Sequence, residues 1–139
     1  MAASLHEHLS LEQILRDLRT SREISSQNWQ RLRQLFGDRF NKAWRLVTEN
    51  RVKKYIFKPS GRVLWVAIGQ HAEYLIYSNA GYCSCSDFYF RVLDHEKAYC
   101  YHLLAQKLAE TLNHYDIIEE EDETYDTLLG IWKEYSVAD

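Results

Sequence analysis

All three cysteines of the chain fall in one window, as Cys83-Ser84-Cys85 and then, after residues 86–99, as Cys100-Tyr101-His102. Three thiols and one imidazole, delivered as two close pairs, make a complete tetrahedral zinc set of the Cys3His kind. A C-x-C pair lets both sulfurs converge at about 2.3 Å from one metal, and a C-x-H pair at a helix start does so from the other side. The ligands must be thiolates, and the metal itself lowers their pKa enough to deprotonate them. Cys83, Cys85, Cys100 and His102 leave no coordination position open, so the expected cofactor is one structural Zn2+ that adds folding free energy and activates nothing. A cysteine can also be a plain buried residue. Two close pairs with no cysteine left over favour the metal. Of the other histidines, His95, between the pairs, is the plausible rival fourth ligand; His6 and His8 lie near the start, and His71 and His114 are isolated.

The elements that must hold these residues read as α+β. Leu11, Ile14, Leu15 and Leu18 form one apolar stripe at i, i+3, i+4, i+7, and Ser10-Leu11-Glu12-Gln13 before it reads as a capping box that starts the helix. A second helix carries Trp29, Leu32, Leu35 and Phe36 up to Gly37, and a third, capped by Asp38, carries Phe40, Ala43, Trp44 and Val47. From Arg51 the period changes to two. Residues 52–58, 62–68 and 74–77 predict a three-stranded antiparallel sheet with tight turns at Pro59-Ser60-Gly61 and residues 69–73. Residues 86–93 predict a short helix with its aromatics on the sheet, and 94–97 a polar loop. Leu104, Leu108 and Leu112 continue a helix from Cys100. The acidic run 116–123 reads as a solvated linker, followed by an amphipathic C-terminal helix with Tyr125, Leu128, Leu129 and Trp132. The expected units are a helical N-terminal region over 1–50, a zinc domain over 51–113, and an acidic linker with an amphipathic segment over 114–139.

At 139 residues, 46% of them hydrophobic, the chain suits one core. No apolar run approaches the roughly 20 residues of a membrane span, and the start lacks a secretory layout, so no membrane association and a cytosolic or nuclear site are expected. Thiols confined to one window fit a reducing compartment. The net charge of −3 conceals a division: residues 1–62 hold 13 Lys/Arg against 6 Asp/Glu, and residues 63–139 hold 4 against 14. The basic half is suited to an acidic partner, or the two halves lie together and cancel.

Two surfaces are candidates for recognition. Arg51, Lys53, Lys54, Lys58 and Arg62 flank Tyr55 and Phe57, and cations interleaved with aromatics suit single-stranded DNA; an ordinary sheet with one charged face gives the same pattern. Leu11, Ile14, Leu15 and Leu18, with Tyr125, Leu128 and Trp132, either anchor a partner or fold back on this chain's core. No catalytic apparatus is visible. A Gly-rich phosphate loop, the zinc-deaminase pattern and a nucleophile elbow are all missing, which predicts a protein that is not an enzyme.

The C-x-C, spacer, C-x-H pattern resembles the SWIM zinc domain. Cys83-Ser84-Cys85, Phe88-x-Phe90-x-Val92-Leu93, Cys100-x-His102-Leu103-Leu104-Ala105, Leu35-Phe36-Gly37 and Pro59-Ser60-Gly61-Arg62 are similar to the small SWIM-domain subunit of the Shu complex, over about residues 30–112. The resemblance implies that Cys83, Cys85, Cys100 and His102 are the metal ligands. It also implies a nuclear role in homologous recombination: pairing with a RecA-like recombinase paralogue and support of recombinase filaments on single-stranded DNA, with DNA reached through the complex. The alternative is a zinc-dependent protein-interaction adaptor, for example in ubiquitin transfer, and a third is a transposase-derived DNA binder. A ligase would need a second zinc module, for which no cysteines remain.

Overall fold

Alanine, leucine and glutamate before Ser10 favour helix strongly enough that the first helix does not wait for the capping box. In the computed structural model, which describes residues 2–85 and 99–138, α1 spans Ala2–Ser21 and Ser10 lies in its interior. Its stripe Leu11, Ile14, Leu15 and Leu18 is at most 1% exposed. Helix α2, Ser26–Phe36, is capped by Ser25, whose hydroxyl accepts from the Asn28 amide at 3.1 Å. Gly37, at φ +59°, makes the joint to α3, Asp38–Thr48, so Asp38 stands in the first turn and not at the cap. Trp29 packs edge-on against Phe40 and Trp44 across that joint.

The expected meander forms: β1 Val52–Lys58, β2 Arg62–Ile68 and β3 Glu73–Tyr77 pair antiparallel in sequence. The sheet is nevertheless five-stranded and mixed, in the order β4-β3-β2-β1-β5, which corrects the three-stranded antiparallel expectation. Strand β4, Tyr82–Cys83, is too short to announce itself by period. Strand β5 is Asp116–Glu121, the run that read as a linker, and it pairs parallel with β1 from Lys53↔Asp116 to Lys58↔Glu121. Acidic residues are poor strand formers alone. Here the neighbour supplies their counterions: Lys53 to Asp116 at 2.5 Å, Lys58 to Glu119 at 3.1 Å, and Arg62 to Asp122 at 3.6 Å. The Ser60 amide and hydroxyl donate to Asp122 at 3.0 and 2.7 Å, pinning the strand's end to the β1–β2 turn. The two charge halves therefore do meet along this edge.

A parallel pair needs a crossover, and helix α4, Tyr101–Leu112, supplies it. The sheet separates two cores. On one face Val52, Trp65, Ala67, Tyr74, Ile76 and Cys83 pack with α4 and with apolar residues of α1, α2 and α3. On the other Phe57, Leu64, Val66 and Leu75 are closed by α5, Tyr125–Ala138, through Trp132, which is 1% exposed and donates from Nε1 to Glu73 at 3.0 Å. Both apolar segments considered as partner surfaces are thus packed inside this chain: the α1 stripe and Trp132 are buried, and Tyr125 and Leu128 lie against the second core. The reason is geometric, since a sheet with two apolar faces has to be covered on both. No helix among the described residues is long and apolar enough to cross a membrane. The expected helix over 86–93 with Phe88 and Phe90, the loop over 94–97, and His95 lie outside the described residues.

Candidate metal centre

Each ligand pair is set by the end of one element. Cys83 closes β4 opposite Ile76 of β3, and Ser84 extends that ladder: its amide donates to the Leu75 carbonyl and its hydroxyl accepts from the Leu75 amide, both at 3.0 Å. The chain therefore leaves the sheet with Cys83 and Cys85 held to one side of a fixed serine. Cys100 is the N-cap of α4, its Sγ accepting from the Leu103 amide at 3.4 Å, a place where the helix dipole favours a thiolate. His102 follows in the first turn, its ring 4.1 Å from that of Tyr74 and 4.0 Å from that of Tyr101, centroid to centroid.

The four donor atoms lie within 4.8 Å of one another, and all four residues are buried. A tetrahedron of sulfur and nitrogen about 2.3 Å from a centre has edges of roughly 3.7 Å, so the group has the size of a zinc shell. Its polar chemistry fits as well. Neither ring nitrogen of His102 has a hydrogen-bond partner although both are buried, which would cost about 1–3 kcal/mol if nothing took the lone pair. Burial pushes the thiols of Cys83 and Cys100 well above their ordinary range, whereas Cys85, accepting from the Cys100 and Cys83 thiols, is held far below it. Protein groups alone thus stabilise one thiolate, and a divalent cation is what would let the other two protons leave. Cys85 and His102 also border a groove lined by Lys42, Arg45, His71 and Tyr101.

Zinc held by Cys83, Cys85, Cys100 and His102 would act as a crosslink between the last strand of the meander and the start of α4. The residues themselves do the positioning. Beyond the ligands, a set unmarked by any motif braces the second pair. Arg39 of α3 forms an ion pair with Glu7 of α1 and donates to the Tyr99 carbonyl at 2.9 Å, next to Cys100. The Tyr99 hydroxyl meets His8 Nδ1 at 2.8 Å, and Phe36 packs edge-on against its ring. Only the density of apolar residues in α1 signals this in the sequence, because Glu7, Arg39 and Tyr99 are far apart along the chain.

The basic residues on the first hairpin are placed on different surfaces. Arg51 is engaged by Glu49 at 2.8 Å and by the carbonyls of Ile68 and Gly69. Lys54 lies over the rings of Trp65 and Tyr115, on the opposite face from Lys53. Lys53, Lys58 and Arg62 are paired with β5 and the turn after it, and Arg62 also stacks 3.8 Å over Tyr125. They form no single cationic track.

No protein-family profile matches the chain, and no solved structure matches it. Among curated proteins, it is similar to one named Zinc finger SWIM domain-containing protein 7 homolog, from Dictyostelium discoideum, at 29% identity over 119 residues, which cover 84% of this chain and 76% of the relative. A buried Cys3His group of zinc dimensions and a SWIM-named relative over most of the chain together support a zinc-binding protein of the SWIM zinc-finger type.

Proposed function

We propose that this chain is a non-enzymatic, zinc-binding subunit of a Shu-type complex in the nucleus. It pairs with a RecA-like recombinase paralogue and promotes assembly or persistence of recombinase filaments on single-stranded DNA during homologous recombination. The observation that carries the reading is the closed donor set: four buried ligands, two from the sheet's end and two from the N-cap and first turn of α4, leave the expected zinc with the task of fixing surfaces. The SWIM-like spacing and the SWIM-named relative support the family side of the proposal. DNA is reached through the complex, in keeping with hairpin cations that are already engaged within this chain.

The test is co-purification of the tagged full chain from cells, with partners identified by mass spectrometry. A RecA-like paralogue should be recovered at near-equal amounts and be lost with Cys100→Ser. Recovery of a ubiquitin-conjugating enzyme and no recombinase paralogue overturns the proposal.

A further inference from the structure

Strand β5 ends the sheet, and among the described residues its backbone pairs with β1 alone. An edge strand presents a row of N–H and C=O groups to any chain that can lie beside it. Many edges are blunted by lysine, proline or a bulge. This one, Asp116-Ile117-Ile118-Glu119-Glu120-Glu121, has six regularly paired residues and carries no cation. Ile117 is 55% exposed, on the same face as Glu119 and Glu121 and diagonal to Ile56, which pairs with the 42% exposed Val63. Apolar surface thus continues across the sheet's end on that face.

The charge says what fits there. Among the described residues, Asp116, Glu119, Glu120, Glu121, Asp122 and Glu123 are met by three cations, Lys53, Lys58 and Arg62, so the edge keeps an excess of negative charge there. The carboxyl of Glu123 is raised, first by a hydrogen bond shared with Glu121 and then by that neighbour's charge, as crowded carboxyls are. A second copy of this strand would set acidic residues opposite acidic residues, which is destabilising. Nucleic acid is repelled for the same reason.

We infer that the outer edge of β5 is a docking site for an extended segment of a different protein, added as a sixth strand, with an apolar side chain beside Ile117 and lysine or arginine at alternate positions facing Glu119 and Glu121. Backbone hydrogen bonds supply affinity and the alternating charges supply register. This surface stands apart from the zinc site, so it holds whichever partner the metal-braced fold serves.

The probe is a short synthetic peptide of the pattern Val-Thr-Lys-Thr-Lys, which sets one valine and two lysines on the same face, titrated into the zinc-loaded full chain labelled with 15N at low salt. The amides of residues 116–121 are expected to shift and to become protected from exchange, while those of α4 stay in place. Glu119→Lys with Glu121→Lys should weaken binding about tenfold, since two lost pairs of roughly 0.7 kcal/mol each sum to about 1.4 kcal/mol. Ile117→Ser should weaken it without changing the charge, and the same peptide with glutamate in place of lysine should not bind. Unaltered zinc content, and β1 and β5 amides that stay protected from exchange without peptide, establish that each variant keeps the strand in place. Shifts that map away from 116–121, equal binding by the lysine peptide N-methylated at alternate residues, or no binding at all would overturn the inference. So would concentration-dependent self-association through β5 without peptide.

Discussion

Replacing Trp132 by alanine tests whether α5 is a lid on the sheet or a surface kept for others. Trp132 is 1% exposed, its ring meets Tyr55 edge-on with centroids 4.9 Å apart, and its Nε1 donates to Glu73. A buried tryptophan removes about 150–250 Å² from water, worth roughly 4–6 kcal/mol at 25 cal/mol/Å². Large-to-small changes of this kind are measured at about 3–5 kcal/mol. We therefore expect a loss of about 4 kcal/mol, a large share of the roughly 5–15 kcal/mol that holds a domain together. Trp132→Phe keeps a ring and loses the Glu73 hydrogen bond, so about 1–2 kcal/mol is expected there. The assay is urea unfolding of the zinc-loaded chain, followed by far-UV circular dichroism, with the slope checked for two-state behaviour. Exposed positions tolerate substitution within about 0.5 kcal/mol. If Trp132→Ala costs less than about 1 kcal/mol with an unchanged slope, α5 does not close the second core, and Tyr125, Leu128 and Trp132 return as a free surface.

Three further outcomes follow from the geometry. Cys100→Ser should lose stoichiometric zinc and the exchange protection of α4, because that residue is both ligand and cap; retained zinc at one per chain would show the ligand set to be wrong. Arg39→Ala leaves Glu7, itself 8% exposed, without its guanidinium and the Tyr99 carbonyl without its donor, so a cost of about 3 kcal/mol and faster zinc loss to a chelator are expected, with part of the stability regained by adding Glu7→Gln. Asp122 titrates below its ordinary 3.8, first because the Ser60 hydroxyl donates to it and then through the Ser60 amide and Arg62. A lowered folded value means that its contribution is present above about pH 4 and is lost as pH falls through that lower value. The protection of β5 amides, taken relative to their intrinsic exchange rate at each pH, should accordingly fall below pH 4 in the natural chain, and Asp122→Asn should show the reduced protection already at neutral pH.

The sequence made the metal pairs plain because ligand chemistry is local: two residues at a strand's end and two at a helix start need only the right spacing. The stripe Leu11, Ile14, Leu15 and Leu18 and the run 62–68 were legible for the same reason, since each carries its own period. What it hid depends on distant neighbours. Asp116 to Glu121 has the composition of a solvated tail, and nothing within it shows that Lys53, Lys58 and Ser60 lie alongside. Strand β4 has two residues, too few for any period, and is defined by its partner Ile76–Tyr77. The apolar faces of α1 and α5 could be seen, but whether they meet this chain or another is decided by how many faces the sheet has to cover. The brace from Glu7 through Arg39 to Tyr99 joins three segments by single side chains, which no spacing rule detects.

The ion-paired edge has one more consequence. With Asp116, Glu119 and Asp122 seated on Lys53, Lys58 and Arg62, the chain carries its own polyanion on those three cations. A phosphate backbone approaching them competes with an intramolecular rival already held at high local concentration and tied down by the β1–β5 ladder. Phosphate therefore competes with the carboxylates of β5 for these cations, so a nucleic acid that reached them would register as weakened ion pairs along the acidic strand as well as added binding.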